Sequence, residues 1–284
     1  MNKGSLTPSK TQQLLAQLQH TPQKRLGQNF LIDPNIIDKI LSIAEVKPTD
    51  TVVEVGPGLG TLSGALLSTG AQLHAIEIDP TLHGHLKSTL QPQFPETFHL
   101  TLGDAVKQPL ASLPASAYGN FKIVANLPYA ISTPWIEGVL SGPLPKTILI
   151  LIQKEAADRF VAIPGGKDFG AISLFLQSAY EQLPGHKVAN SCFYPVPKVA
   201  SVLFKLRLRD HPYLYHPRTK EIIRALFTQR RKQIGGLCKH FTEFPILMDW
   251  AQSLTRKDLS LTARAETLPF EAWQELDQLV RATV

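Results

Sequence analysis

Five short runs of almost unbroken apolar residues set the limits on how this chain can fold: TVVEV at 51–55, LHAIEI at 73–78, FHLTL at 98–102, FKIVA at 121–125 and TILILI at 147–152. Each has the length of a strand and little polar face to offer water, so each must be covered on both sides. Helical stretches separate them. Asp33 followed by Pro34 predicts a helix start, and Ile36, Ile37, Ile40, Leu41 and Ala44 recur behind it at helical spacing. This alternation predicts a doubly wound α/β sheet with its ligand at the carboxyl ends of the strands. A later pair, roughly 186–192 and 199–208, is expected as an antiparallel hairpin at the sheet edge, and TQQLLAQLQ near the start as a frayed helix. After Leu208, HPYLYHP reads as a linker. The apolar residues beyond it fall in helical stripes: Ile222, Ile223, Leu226 and Phe227; Leu247, Trp250, Ala251 and Leu254; Phe270, Trp273, Leu276 and Val280. The expected organisation is a basic N-terminal arm over 1–32, a sheet domain over 33–210 and a small all-helical domain over 211–284.

With 43% hydrophobic and 18% charged residues in 284, wholesale disorder is excluded. No apolar run approaches the roughly 18 residues of a membrane span, and the polar N-terminus is no secretory signal, so a cytoplasmic protein free of membrane is expected. Two cysteines supply neither a disulfide framework nor a metal cage, and none of the nine histidines has a convincing ligand set. The net charge of +6 is concentrated. Residues 1–32 carry four Lys or Arg and no acid, and residues 205–240 carry ten against two acids. Two basic blocks flanking a mildly acidic body suit a polyphosphate partner better than they suit mere solubility.

The first strand runs directly into Gly56-Pro57-Gly58-Leu59-Gly60, a loop whose missing Cβ atoms let backbone approach a ligand. The glycine spacing is one residue short of the dinucleotide fingerprint, and Pro57 removes an amide that a pyrophosphate would use. Glu77 closes the second strand 21 residues after Gly56, where a carboxylate can accept both hydrogen bonds of a ribose diol. That points to an adenosine-type ligand without choosing between NAD and S-adenosylmethionine. Asp104, after the third strand, is placed to accept from an adenine amino group or to cap a turn. Glu54, inside the first strand, is either a contact to the ligand's amino-acid end or a buried structural acid.

The fourth strand ends in Asn126-Leu127-Pro128-Tyr129. An exocyclic adenine amine is a poor nucleophile because its lone pair is delocalised into the ring. Two acceptors that hold its N–H groups draw the nitrogen toward tetrahedral geometry. Asn126 has a side-chain oxygen for this, Leu127 a carbonyl turned outward by the extended bias before proline, and Tyr129 a ring on which an extruded base can stack. The plain alternative is a strand-to-loop turn with a capping Asn and a buried Tyr.

With these residues in place the chain resembles the rRNA adenine dimethyltransferase family of S-adenosylmethionine-dependent enzymes, most closely the bacterial branch acting on small-subunit (16S) rRNA. The segments that carry the resemblance are KRLGQNFLID (24–33), VEVGPGLGTL (53–62), IEID (76–79), GDA (103–105), NLPYAIST (126–133), LIQKEAADRF (151–160), FYPVPKVASV (193–202), FTQRRK (227–232) and RAETL (264–268), spread over nearly the whole chain after residue 22. The resemblance implies a Rossmann-like sheet, S-adenosylmethionine as cofactor, no metal, and dimethylation of the N6 amino groups of two adjacent adenosines in a loop near the 3′ end of 16S rRNA. The partner would be that rRNA within the small ribosomal subunit or its precursor, the setting subunit biogenesis, and the working form a monomer. It also implies that Asn29 and Leu31 close over the cofactor and that Gly56 lies beneath its amino-acid end. Glu77 would take the ribose, Asp104 the adenine, and Asn126 would bridge to the target, which Phe193 stacks on opposite Tyr129. Two departures, Val196 within the usual proline triplet and Ala200 in place of the usual Asp, bear on the shape of that loop. The macrolide-resistance methyltransferases of large-subunit rRNA share the Asn-x-Pro-Tyr core and are the nearest rivals. A nicotinamide-dependent oxidoreductase and a non-catalytic assembly factor remain as readings of other classes.

Lys220, Arg224 and Arg231 are spaced to share a helical face opposite Ile222, Ile223 and Phe227, with Arg230 and Lys232 extending the patch. Gripping rRNA phosphates is the expected role of this set, against the alternative of a solvated face.

Overall fold

The structure, a computed structural model, describes residues 7–283; Lys3 of the expected basic arm lies outside them. The chain divides into two compact units, Met1–Ala157 with Glu181–Leu208 and Asp158–Tyr180 with Arg209–Val284.

The first unit holds strands β1 (Phe30–Leu31), β2 (Thr51–Val55), β3 (Gln72–Glu77), β4 (Phe98–Leu102), β5 (Phe121–Asn126), β6 (Thr147–Gln153), most of β7 (Tyr180–Val188), β8 (Phe193–Tyr194) and β9 (Ser201–Leu208). Its helices are α1 (Pro8–Gln17), α2 (Pro34–Ala44), α3 (Thr61–Leu67), α4 (Pro80–Thr89) and α5 (Ser132–Val139), with the start of α6 (Lys154–Phe160). Asp33 caps α2 as expected, accepting the Asn35 N–H at 2.8 Å, and Pro34 fills the first turn where no donor is needed.

Seven strands form one sheet in the order β4-β3-β2-β5-β6-β9-β7. The pairs β2–β3, β3–β4, β2–β5 and β5–β6 are parallel, and β9 returns antiparallel to β6, with Thr147 opposite Arg207 and Gln153 opposite Ser201. Ile148 through Ile152 are each 1% exposed or less, which requires cover on both faces. On one face Val52, Val124, Leu149 and Leu151 share a core with Ile37 and Ile40 of α2 and Leu62 and Leu66 of α3. Each such fully buried aliphatic side chain contributes about 1.5–3 kcal/mol.

The expected edge hairpin is displaced on its first strand. That strand spans Tyr180–Val188 and not 186–192, and residues Asn190–Cys192 form a single 3-10 turn. Its sequence, YEQLPGHKV, has no apolar alternation because β7 is an edge strand with most of its residues at the surface. Pro184 is tolerated only at such an edge. Gly185 is required there, since a Cβ would fall 2.1 Å from the Leu203 carbonyl oxygen of β9.

The second unit comprises α7 (Ala171–Ala179), α8 (Pro217–Thr228), α9 (Ile234–His240), α10 (Ile246–Arg256) and α11 (Phe270–Arg281). Helix α7 joins it because Phe175 packs against Tyr215 with ring centroids 5.5 Å apart, and the Ser178 carbonyl accepts the Tyr213 N–H at 3.0 Å. The linker is therefore pinned. Asp277 of α11, fully buried, accepts from the His216 N–H at 2.7 Å and the Tyr213 hydroxyl at 2.9 Å. Trp250 and Trp273 lie buried at the centre, and the Trp250 indole N–H donates to the Ala272 carbonyl at 2.9 Å.

Candidate functional site

Strand order reverses between β2 and β5, the place where an open α/β sheet leaves a crevice for a ligand. The loops after these two strands touch. Gly56 adopts φ +65°, and a Cβ there would lie 3.1 Å from Pro128 Cγ. Gly56→Ala therefore meets both left-handed strain, about 1–2 kcal/mol, and a crowded neighbour. A melting temperature lower by roughly 3–8 °C in a thermal scan is the expected result.

A cleft of about 1020 Å³, counting its solvent-open part, extends over these loops. Asn29, Leu31, Gly56, Glu77, Asp104, Asn126, Leu127 and Tyr129 all line it. Every residue expected from the sequence to meet cofactor or base is thus at one cavity, with the exception of Phe193.

Glu77, the last residue of β3, is buried. Its Oε2 accepts the Gly58 N–H at 3.0 Å and its Oε1 the Asp79 N–H at 2.9 Å. Burial pushes its carboxyl above the ordinary range, and these backbone donors oppose the shift. Each carboxylate oxygen retains capacity for a further donor, as a diol requires. Asp104 accepts the Val106 N–H at 2.9 Å through Oδ1, so it caps its turn as well as lining the cavity.

Glu54 also lines the cavity, at 1% exposure, and its Oε2 accepts the Ser63 hydroxyl at 2.6 Å. Burial, reinforced by the nearby Glu77 charge, pushes its carboxyl up to about 8. It is thus a buried acid that also lines the cavity.

Asn126 ends β5, and its Nδ2 donates to the Asn29 carbonyl at 2.9 Å. A carbonyl only accepts, so the side-chain amide has one orientation, with Oδ1 as its acceptor end. Asn29 is itself held by donation from its Nδ2 to the Gly27 carbonyl at 3.1 Å. The Leu127 side chain is fully buried and its N–H bonds the Leu151 carbonyl at 3.1 Å, anchoring the loop to β6. The Tyr129 hydroxyl lies 2.6 Å from the hydroxyl of Ser201, which opens β9 and is 1% exposed. Burial raises the Tyr129 phenol above its usual range, with the Ser201 bond opposing. Sequence reasoning misses Ser201, whose only signal there is a serine opening a strand after a proline-rich loop.

Phe193 is placed elsewhere. It pairs with Leu31 across the short β1–β8 ladder, is 1% exposed and belongs to the core that holds Ile37 and Leu66. In this conformation its ring is buried and outside the cavity lining.

The basic patch is also rearranged. Helix α8 ends at Thr228, so Arg230, Arg231 and Lys232 lie in the turn before α9 and share no helical face with Lys220. Lys220 is 8% exposed, with its ammonium 6.0 Å from the Phe175 ring centroid. Arg224 is exposed, 5.5 Å from the same ring. Arg231 and Lys232 are exposed and Arg230 half-buried.

The ionisable residues lining the cavity are three acids, Glu54, Glu77 and Asp104, and one base, Arg25; even with Glu54 protonated near neutral pH, this set suits a cationic ligand better than a pyrophosphate. A cradle of glycines, a ribose-side acid and carboxylates fits S-adenosylmethionine on the donor set alone. Among the described residues, no group of three or more His, Cys, Asp or Glu could hold a metal ion, and no helix is long and apolar enough to cross a membrane.

A doubly wound sheet whose glycine loop, strand-end acid and Asn-Leu-Pro-Tyr turn converge on one crevice defines a Rossmann-like methyltransferase. Comparison with known proteins narrows this. The family model "Ribosomal RNA adenine dimethylase" matches residues 19–243, and the chain belongs to that family. It is 56% identical over 272 residues to "Ribosomal RNA small subunit methyltransferase A" of Opitutus terrae, covering 95% of this chain and 98% of that protein. To the protein of the same name from Moorella thermoacetica it is 40% identical over 290 residues, covering 97% and 98%. Among solved structures, a dimethyladenosine transferase from Plasmodium falciparum superposes with a TM-score of 0.69 at 25% identity, covering 86% of this chain and 94% of that one. The 23S rRNA methyltransferase ErmE gives 0.61 at 25% identity, covering 89% and 100%.

Proposed function

We propose that this chain uses S-adenosylmethionine to dimethylate the N6 amino groups of two adjacent adenosines in a loop near the 3′ end of 16S rRNA. It does so as a cytoplasmic monomer acting on the small ribosomal subunit or its precursor during subunit biogenesis. The observation that carries the reading is the Asn126 amide, fixed by Asn29 so that its oxygen is presented in the same cavity as Glu77.

Glu77 would hold the ribose, Asp104 the adenine, Gly56 and Glu54 the amino-acid end, and Asn29 and Leu31 the open side. Bound there, S-adenosylmethionine would supply a methyl carbon made electrophilic by a cationic sulfur, whose bond to that carbon would break to leave a neutral thioether. Asn126 Oδ1 and the Leu127 carbonyl accept the two N–H groups of the target amine and localise its lone pair on nitrogen. Tyr129, held by Ser201, gives the extruded base a ring to stack on. The alkylated amine is acidic and releases its proton to water, so no strong base is required of the chain. Holding nucleophile and electrophile in line supplies most of the acceleration. An oxidoreductase reading is disfavoured by the acids of the cavity, and a non-catalytic role by the ordered Asn126.

Arg224, Arg230, Arg231 and Lys232 would take rRNA phosphates. Reversing Arg230 and Arg231 to Glu is expected to weaken small-subunit binding by about tenfold or more and to flatten its dependence on salt, measured by filter binding over a salt series. The reading as a whole is tested by offering methyl-labelled cofactor with undermethylated small subunits and, separately, large subunits. Label should enter the small-subunit RNA alone; transfer to large subunits would favour the macrolide-resistance chemistry instead.

A further inference from the structure

Outside the reacting groups, one polar cluster joins parts of the chain that have no sequence proximity. Asp79, two residues beyond Glu77, is 2% exposed. Its two carboxylate oxygens serve different elements. Oδ1 accepts the N–H groups of Thr81 and Leu82 at 3.0 and 3.3 Å, capping α4. Oδ2 accepts the side-chain amides of Gln23 and Gln28 at 3.2 and 3.1 Å, with His20 Nδ1 at 3.7 Å. The orientation of the Gln28 amide is settled by its other end, where Oε1 accepts the Gln23 backbone N–H at 2.8 Å and lies 3.0 Å from His20 Nε2.

The cluster lies behind the cavity lining and ties two parts of it together: residues 25–31 line the cavity, and so does Glu77, which receives the Asp79 N–H. A small apolar core reinforces the same junction: Leu15 of α1, Phe30, Leu59 of the glycine loop and Leu82 of α4. Four separate stretches of chain thus meet at one carboxylate and one hydrophobic knot.

The geometry points to Asp79 as a positioning residue for the cofactor cavity: by accepting Gln23 and Gln28 it clasps the segment from His20 to Leu31 against the strand that carries Glu77, so that both walls of the cavity are set before a ligand enters. Its effect on catalysis rests on the cofactor reading above; the clasp itself does not. Preorganised walls lower the ordering cost of binding. Loss of the clasp therefore raises KM for the cofactor and leaves kcat at saturation little changed.

Asp79→Asn isolates this role. The substituted amide retains one oxygen, enough to cap α4, but turns a donor toward the donors of Gln23 and Gln28; rotated the other way, it opposes the N–H groups of α4 instead. Hydrogen exchange over residues 20–31, followed by mass spectrometry without any ligand, is expected to quicken by about tenfold or more, and KM for S-adenosylmethionine to rise by a similar factor. Adding Gln28→Glu restores an acceptor opposite the new donor while keeping the bonds to Gln23 and His20. The double variant should recover slow exchange and low KM together, which a general loss of stability would not allow. Unchanged exchange in Asp79→Asn, or a double variant no better than the single one, overturns the assignment. Since exchange reads the clasp without cofactor, a wild-type chain that failed to bind S-adenosylmethionine would count against the proposed function alone.

Discussion

Asn126→Ala is expected to lower the rate of methyl transfer by about 10²–10³-fold, the loss found when one preorganised group that meets changing charge is removed from an active site. The reason is geometric. Asn126 stands at the end of β5, the strand at the sheet's switch point, and its amide is pinned by the Asn29 carbonyl, so its oxygen is oriented before substrate arrives. Alanine removes both the acceptor and the tie to Asn29. Asn126→Asp separates the two, for it retains acceptors but sets an anionic oxygen against the Asn29 carbonyl. The aspartate variant should also be impaired, through displacement of the segment around Asn29. Single-turnover kinetics with saturating cofactor measures both. Near-normal turnover in Asn126→Ala would remove the residue from the reaction.

Glu54→Gln is expected to remove a large pH-dependent contribution to the stability of the sheet unit. Burial lifts this carboxyl from 4.5 to about 8, so the folded chain keeps a proton that the unfolded chain gives up. Its contribution to stability is whole below pH 4.5 and is lost as pH rises to about 8. Each tenfold difference in proton affinity between the folded and unfolded chains is worth about 1.4 kcal/mol, so the loss across this window amounts to a few kcal/mol. Glutamine can still accept from Ser63 and does not ionise. Melts between pH 5 and 8 should therefore show the wild type losing stability relative to the variant as pH rises, the variant melting higher at pH 8 by roughly 4–12 °C. A cationic ligand would favour the ionised carboxylate, so binding near pH 7 should release a proton in the wild type and none through this site in the variant. Calorimetry in buffers of different ionisation enthalpy reads that difference, and parallel melting curves would contradict the account.

What could be read in the sequence follows the range of the physics involved. TVVEV and FKIVA were legible as strands because burial on both faces writes itself into consecutive residues, and both lie within one residue of the observed bounds. Asp33 and Pro34 announced α2 because capping is local. Strand β7 was not legible along its length, since an edge strand needs no apolar face. The α8 stripe misled in the opposite way. Spacing assigns residues to one face only while the helix continues, and nothing in FTQRRKQ marks its end at Thr228. At the site, Glu77 and Asn126 end their strands and Gly56 follows one directly, so locating the strands located them. Phe193 shows the limit, because an aromatic at a strand end is compatible with core and cavity alike, and the burial that decides between them is set by residues far away in sequence. The contacts of Asp79 with Gln23 and Gln28, 56 and 51 residues apart, have no periodic signature at all.

This cavity is expected to direct a methyl group onto the exocyclic nitrogen of adenosine. Small subunits lacking the modification, incubated with the protein and isotopically labelled S-adenosylmethionine, can be digested to oligonucleotides and, in parallel, to nucleosides, and both resolved by mass spectrometry. Label in N6,N6-dimethyladenosine, from two neighbouring positions near the 3′ end of 16S rRNA, is the predicted result; label confined to any other nucleoside, or none transferred, would contradict it.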